Sequence, residues 1–188
     1  MPILPPEPDL FPDDLLTCEE LLEQANVDAS WYSAYTKSRQ EKLLMRHLRQ
    51  LEVPHYGPLI PKRSRSPAGR VRSSLVPLFS NYVFLLADEM QRYNAICTGC
   101  IMKATPVVDH VELVQDLRQI QSLISMDAPM TIESRIEPGQ RVRVRNGSFA
   151  GYEGIAVRRD AETCLIVSVR FMEQGVSVKL DDCQLEKI

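Results

Sequence analysis

Cys97-x-x-Cys100 is the pair in this chain with metal-ligand spacing, and His47, His55 and His110 are its three histidines. A closed zinc site needs four well-spaced ligands. The sequence offers no second Cys-x-x-Cys and only His110 near the first, so no metal is expected. The five cysteines, Cys18, Cys97, Cys100, Cys164 and Cys183, are odd in number and scattered, which fits small buried thiols better than a disulfide framework. Nucleophilic catalysis needs a thiol or hydroxyl beside an activating base. Neither Cys97 nor Cys100 lies near His47 or His55 in sequence, and no glycine-rich phosphate loop is present, so neither an enzyme nor a cofactor is expected.

The basic residues carry the clearer signal. The net charge of the 188 residues is −3, yet the first 29 hold eight acids and no Lys or Arg, while 30–128 hold 13 bases against eight acids. Between Lys37 and Arg72 stand ten bases and two glutamates, ending in the loop-like "PKRSRSPAGRVRSS" at 61–74. Clustered like charge repels itself unless it is solvated or meets an anion, and a phosphate backbone is the usual anion for such a stripe. A solvated face is the other reading, and charge does not choose between them. Lys37, Arg39, Lys42, Arg46 and Arg49 have helical spacing and read as the solvated side of a helix.

The elements that would position these bases follow from periodicity. Residues 1–29, with five prolines before position 13, read as an acidic, flexible arm outside the core, with Thr17 and Glu20 at capping-box spacing. "WYSAYT" alternates as a strand, and 38–51 places Leu44, His47, Leu48 and Leu51 on one helical stripe. A strand at 53–61, a basic hairpin tip, a strand at 78–87, a helix at 88–97, an extended 104–109 and an amphipathic helix at 110–124 complete an α/β order. Residues 30–126 form this first domain and 127–137 the linker. Only strand signals follow, so 138–188 predicts a small, nearly closed antiparallel barrel. The longest apolar runs are far shorter than the roughly 18 residues that cross a bilayer, and the N-terminus lacks the features of a signal peptide, so a cytoplasmic protein is expected.

In "RVRVRNGSFAGYEG" the alternation turns Val142 and Val144 inward and Arg141, Arg143 and Arg145 outward. Asn146-Gly147 signals a turn with positive φ, Gly151 and Gly154 flank Tyr152 where the chain re-enters the sheet, and Phe149 is placed to close the barrel end. This stretch resembles the KOW motif, with Asn146, Gly147, Phe149, Gly151 and Gly154 at its positions and Ser148 where many members carry Pro.

"WYSAYTKSRQEKLLMRHL", then "PLFSNYVFL" about 45 residues later, a helix ending in "CTGCI" and a C-terminal KOW stretch are similar to the NusG family of transcription elongation factors. The resemblance covers residues 30–188. The long basic hairpin, and Asn81 where general factors usually carry Gly, lean toward the specialised RfaH-like antiterminators; Ser80 replaces a customary Pro. It implies an α+β fold: an NGN-like α/β sandwich, mainly antiparallel sheet with helices, followed by an SH3-like KOW barrel. It further implies that an aromatic sheet face with Trp31, Tyr35, Phe79, Tyr82 and Phe84 grips the clamp of the largest RNA polymerase subunits. Trp31 is expected to be partly core. Lys62, Arg63, Arg65, Arg70 and Arg72 would meet DNA of the transcription bubble through phosphates, and the KOW rim would recruit a termination factor or a small-subunit ribosomal protein. The implied protein is a monomer without a membrane partner that suppresses pausing or termination. The alternative is a ribosome-associated or RNA-binding KOW protein without polymerase contact.

Overall fold

A computed structural model describes residues 8–18, 28–65, 71–128, 130–133, 139–159, 162–169, 172, 174–180 and 185–188. The chain divides into two compact units, Met1–His110 and Val111–Ile188. The first holds strands β1 (Leu10–Phe11), β2 (Ser30–Thr36), β3 (His55–Tyr56), β4 (Leu59–Arg65), β5 (Val71–Pro77), β6 (Tyr82–Ala87) and β7 (Ile101–Pro106), with helices α1 (Glu41–Gln50) and α2 (Glu89–Cys97). Five strands form one antiparallel sheet in the order β1-β3-β6-β2-β7, and β4 and β5 form a separate two-stranded sheet.

Alternation decides which face of this sheet receives the helices. Ala34, Val83 and Leu85 share one core with Leu44, Met45 and Leu48 of α1 and Ala95 of α2. The buried stripe of α1 is Glu41, Leu44, Met45 and Leu48. Leu51, expected on that stripe, follows the last helical turn and is 42% exposed. Helix α2 starts at a capping box: Asp88 accepts from the Gln91 backbone N–H at 2.7 Å, and the Gln91 side chain accepts from the Asp88 N–H at 3.0 Å. Reciprocal satisfaction of two orphan donors fixes where a helix begins.

Three sequence expectations are corrected here. The segment 53–61 is two strands, not one, because it breaks at Gly57-Pro58 into β3 of the main sheet and β4 of the hairpin. A Cβ on Gly57 would lie 2.6 Å from the Met45 sulfur, so the helix packs onto bare backbone there. The strand expected from residue 78 begins only at Tyr82, since Asn81 turns the chain with φ +67 and its N–H donates to Glu41 Oε1 at 2.8 Å. Left-handed backbone favours Gly and tolerates Asn.

The third correction concerns the arm. Leu10, Leu15 and Leu16 are buried, and β1 pairs with β3. Gly57 N–H donates to the Asp9 carbonyl at 2.8 Å, Leu59 N–H to Asp9 Oδ2 at 3.0 Å, and Arg49 to the Pro8 carbonyl at 2.8 Å. Phe11 stacks on His55 at 5.8 Å. Residues 8–18 are thus a core element, held because three leucines and the free edge of β3 outweigh a composition that reads as disordered. The capping-box partner Glu20 lies outside the described residues.

The second unit holds helix α3 (His110–Ser125, by its first residue beginning in the preceding unit) and strands β8 (Met130–Glu133), β9 (Gln140–Val144), β10 (Glu153–Arg159), β11 (Glu162–Val169), β12 (Gln174–Leu180) and β13 (Leu185–Lys187). The sheet runs β13-β9-β10-β11-β12-β8, antiparallel throughout. Strand β8 lies within the segment read as linker. Val142 and Val144 are buried while Arg141, Arg143 and Arg145 are exposed, as the alternation requires.

Between β9 and β10, Gly147 has φ 89 and Gly151 has φ 88, whereas Asn146 stays out of the left-handed region. Gly151 N–H donates to the Val144 carbonyl at 2.8 Å while Val144 N–H donates to the Tyr152 carbonyl at 2.9 Å. Two residues therefore oppose one, with the left-handed glycine first, which is the pattern of a G1 bulge. Gly154 serves a different end: a Cβ there would come within 2.3 Å of the Ile166 carbonyl oxygen of β11. Phe149 is half-buried and packs edge-on against Tyr152 at 5.9 Å, at the rim rather than closed over the barrel end.

Burial holds the pKa of His55 down from the ordinary 6.5 to about 4, and the nearby Arg49 charge adds to this. A depressed pKa means that His55 contributes its full stabilisation above about pH 6.5 and loses it as the pH falls toward 4, by up to about 3 kcal/mol. Urea unfolding across that window should show this slope, and His55→Phe should flatten it. Leu16→Ala should cost about 2–4 kcal/mol in the same assay, whereas a flexible arm would give no change.

Candidate protein and nucleic-acid interfaces

The register of β6, β2 and β7 lays side chains in rows across the sheet face opposite α1 and α2. Tyr82 pairs with Tyr35, Phe84 with Ser33 and Leu86 with Trp31. Residues opposite one another in an antiparallel pair share a face. Tyr35 is 38% exposed, Tyr82 is half-buried, and their rings meet edge-on at 5.2 Å with 60° between planes.

The other three aromatics of the expected patch are buried: Trp31 and Phe84 are fully enclosed and Phe79 is 1% exposed. Phe79, folded back by the turn at Asn81, packs edge-on against Phe84 at 6.4 Å. This corrects the expectation of a broad aromatic surface and sharpens the expectation that Trp31 is partly core. Phe84 and Trp31 sit farther along their strands, so the surface that remains is the Tyr35–Tyr82 pair at the strand ends.

The basic ribbon is β4 paired to β5 from Leu59↔Pro77 to Arg65↔Val71. Lys62 and Arg63 are exposed and, being adjacent in a strand, leave opposite faces of the ribbon. Arg65 and Arg72 have strand backbone, and Arg70 lies outside the described residues. Lys42, read in sequence as part of a solvated helix side, instead donates from Nζ to the Leu75 carbonyl of β5 at 2.6 Å. Leu75 itself packs on the core. A charge-assisted hydrogen bond of this length is among the strong ones, so α1 pins the base of the ribbon. Nothing in the local sequence announces this contact, which joins positions 33 residues apart.

Histidine and cysteine do meet, though not where sequence proximity would suggest. Cys100 Sγ lies 3.9 Å from His47 Nδ1, with the thiol 2% exposed inside the helix-side core. A thiol so enclosed behaves as a small apolar group. Among the described residues no cluster of three or more His, Cys, Asp or Glu is arranged to hold a metal ion.

In the second unit, Glu153 N–H donates to Gln119 Oε1 of α3 at 2.8 Å, and Arg143 pairs with Glu153 across β9 and β10. A cavity of about 120 Å³ beside them is lined by Asp116, Arg141, Glu153, Gly154, Ile155 and Ser168. That is well below the roughly 300 Å³ at which small-molecule sites begin. Phe149 and Tyr152, both half-buried, form an aromatic rim beside the exposed turn of Asn146 and Gly147.

If Lys42 pins the ribbon, Lys42→Met should speed amide hydrogen exchange in β4 and β5 by about fivefold or more while leaving β2 and β6 unchanged. Equal exchange in the ribbon of both proteins would remove the role.

Among the described residues no helix is long and apolar enough to cross a membrane. The family described as "NusG: Transcription termination factor nusG" matches residues 29–137, more than half of the chain. The transcription termination/antitermination protein NusG of Pseudomonas aeruginosa is 27% identical over 177 residues, spanning 84% of this chain and 98% of that protein. The NusG of Escherichia coli K12 is 28% identical over 130 residues, 63% of this chain and 70% of that protein. A solved structure titled "Domain interaction in Thermotoga maritima NusG" aligns over 85% of this chain and 97% of its own with a TM-score of 0.43 and 18% identity. With an α+β unit of antiparallel sheet and helices followed by a β-domain, and with the match over residues 29–137, the chain belongs to the NusG family of transcription termination and antitermination factors.

Proposed function

We propose that this factor binds RNA polymerase at the clamp of the largest subunit through the Tyr35–Tyr82 surface, favours the processive state of the enzyme and suppresses pausing or termination. The observation that carries this reading is the partly exposed, edge-packed tyrosine pair on the sheet face opposite α1 and α2, inside the segment that matches the family. Tyrosines, which combine a rigid apolar body with a polar tip, are among the side chains enriched at interface centres. The action is a shift of equilibrium: a bound factor changes pausing only to the extent that it binds the processive state more tightly than the paused one.

The ribbon of Lys62 and Arg63, with Arg65, Arg70 and Arg72, meets the DNA of the transcription bubble through phosphates. Such contacts position a protein without reading bases. The rim around Phe149 recruits a second protein, a termination factor or a small-subunit ribosomal protein. The extended ribbon and Asn81 in its left-handed turn favour the specialised, RfaH-like branch, working in the cytoplasm as a monomer.

The double variant Tyr35→Ala/Tyr82→Ala should lose capture of purified RNA polymerase and its effect in a pause assay, with an unchanged circular dichroism spectrum. Capture at the wild-type level would refute the surface, and tight ribosomal RNA binding without capture would favour a ribosomal role. Separately, Lys62→Ala/Arg63→Ala should lower affinity for a scaffold with exposed non-template strand, and should reduce the slope of log K against log salt by about one to two. An unaltered slope rules out the ribbon.

A further inference from the structure

The row that carries the tyrosine pair does not end at Tyr35. Lys103 on the edge strand β7 is the register partner of Tyr35, so Tyr82, Tyr35 and Lys103 form one row across β6, β2 and β7. The row before it is Phe84, Ser33 and Thr105. Lys103 is exposed, and among the described residues nothing pairs with its ammonium. Lys37, also exposed, follows directly on β2. The acid nearest them in sequence, Glu41, is buried and committed to the Asn81 N–H at 2.8 Å. Among the described residues neither Lys37 nor Lys103 forms an ion pair, so the tyrosine row ends in a cation with no carboxylate paired to it.

Resting on the proposed polymerase-binding reading, we infer that Lys103 is a specificity-determining residue of that surface and that the partner segment seated on the tyrosine pair carries a carboxylate facing it. A protein segment is favoured over a single-stranded nucleic acid because the two rings, at 60° and 5.2 Å, do not present parallel faces on which successive bases would stack. A cation at the rim of an apolar contact acts on register and association rate more than on raw affinity. It admits a partner with a matching anion and rejects one with a like charge.

The test uses the full chain and purified RNA polymerase. Lys103→Glu should weaken capture about tenfold at low salt, and Lys103→Met about threefold, with the wild-type advantage shrinking as salt rises. Position 103 is exposed on an edge strand, so Lys103→Met is expected to fold, and circular dichroism checks it. If both variants keep wild-type capture and salt dependence while Tyr35→Ala/Tyr82→Ala loses capture, the lysine is incidental and the inference falls with the surface intact. If the tyrosine variant also keeps capture, the surface itself is wrong and the inference falls with it. Loss of single-stranded DNA binding by Lys103→Glu without polymerase would assign the cation to phosphate and overturn the proposal.

Discussion

Strand β2 is hydrogen-bonded along both edges, to β6 on one side and β7 on the other, and the first unit is organised around that double pairing. Its period-two alternation commits Ala34 to the helix-side core and Trp31, Ser33 and Tyr35 to the opposite face. A slip of one residue would send Trp31 and Tyr35 into the space that Leu44, Met45 and Leu48 fill, and would bring Ala34 to the other face. The same register sets Tyr35 against Tyr82 and next to Lys103. The candidate surface is thus tied to the interaction that holds the sheet together.

Around that strand, backbone conformations with little tolerance fix the remaining parts. Asn81 reverses the chain in a left-handed conformation with Glu41 on its N–H, so helix α1 supports the turn that delivers Tyr82. Lys42, one residue on, holds the basic ribbon by the Leu75 carbonyl. One short helix therefore ties both candidate surfaces to the core, with two polar contacts from adjacent residues. In the second unit Gly151 and Gly154 do different work, one supplying a left-handed bulge and the other the space for a carbonyl.

What the sequence revealed was what periodicity encodes. The strands at 30–36 and 140–144, the helices at 41–50 and 110–125, and the inward set of Val142 and Val144 all follow from spacing alone. The family was legible because several such elements, with the glycine-rich turn, occur in one order. What stayed hidden depends on contacts distant in sequence. The break at Gly57-Pro58 answers to Met45, the burial of Phe84 to Phe79 folding back, and the contact of Lys42 to a carbonyl in another strand. The arm misled for a related reason, since acids and prolines dominate its composition while three leucines and two strand residues determine its structure.

The packing of residues 8–18 has a practical consequence for how the molecule can be divided. The family match begins at residue 29, and a fragment cut there would lack β1, Leu15 and Leu16. The outer backbone groups of β3 would then be unpaired, and apolar surface that the leucines share would meet water. A bare strand edge beside exposed apolar side chains is the usual template for edge-to-edge aggregation. The boundary that marks kinship is therefore not the boundary of the folding unit, which begins at or before Pro8.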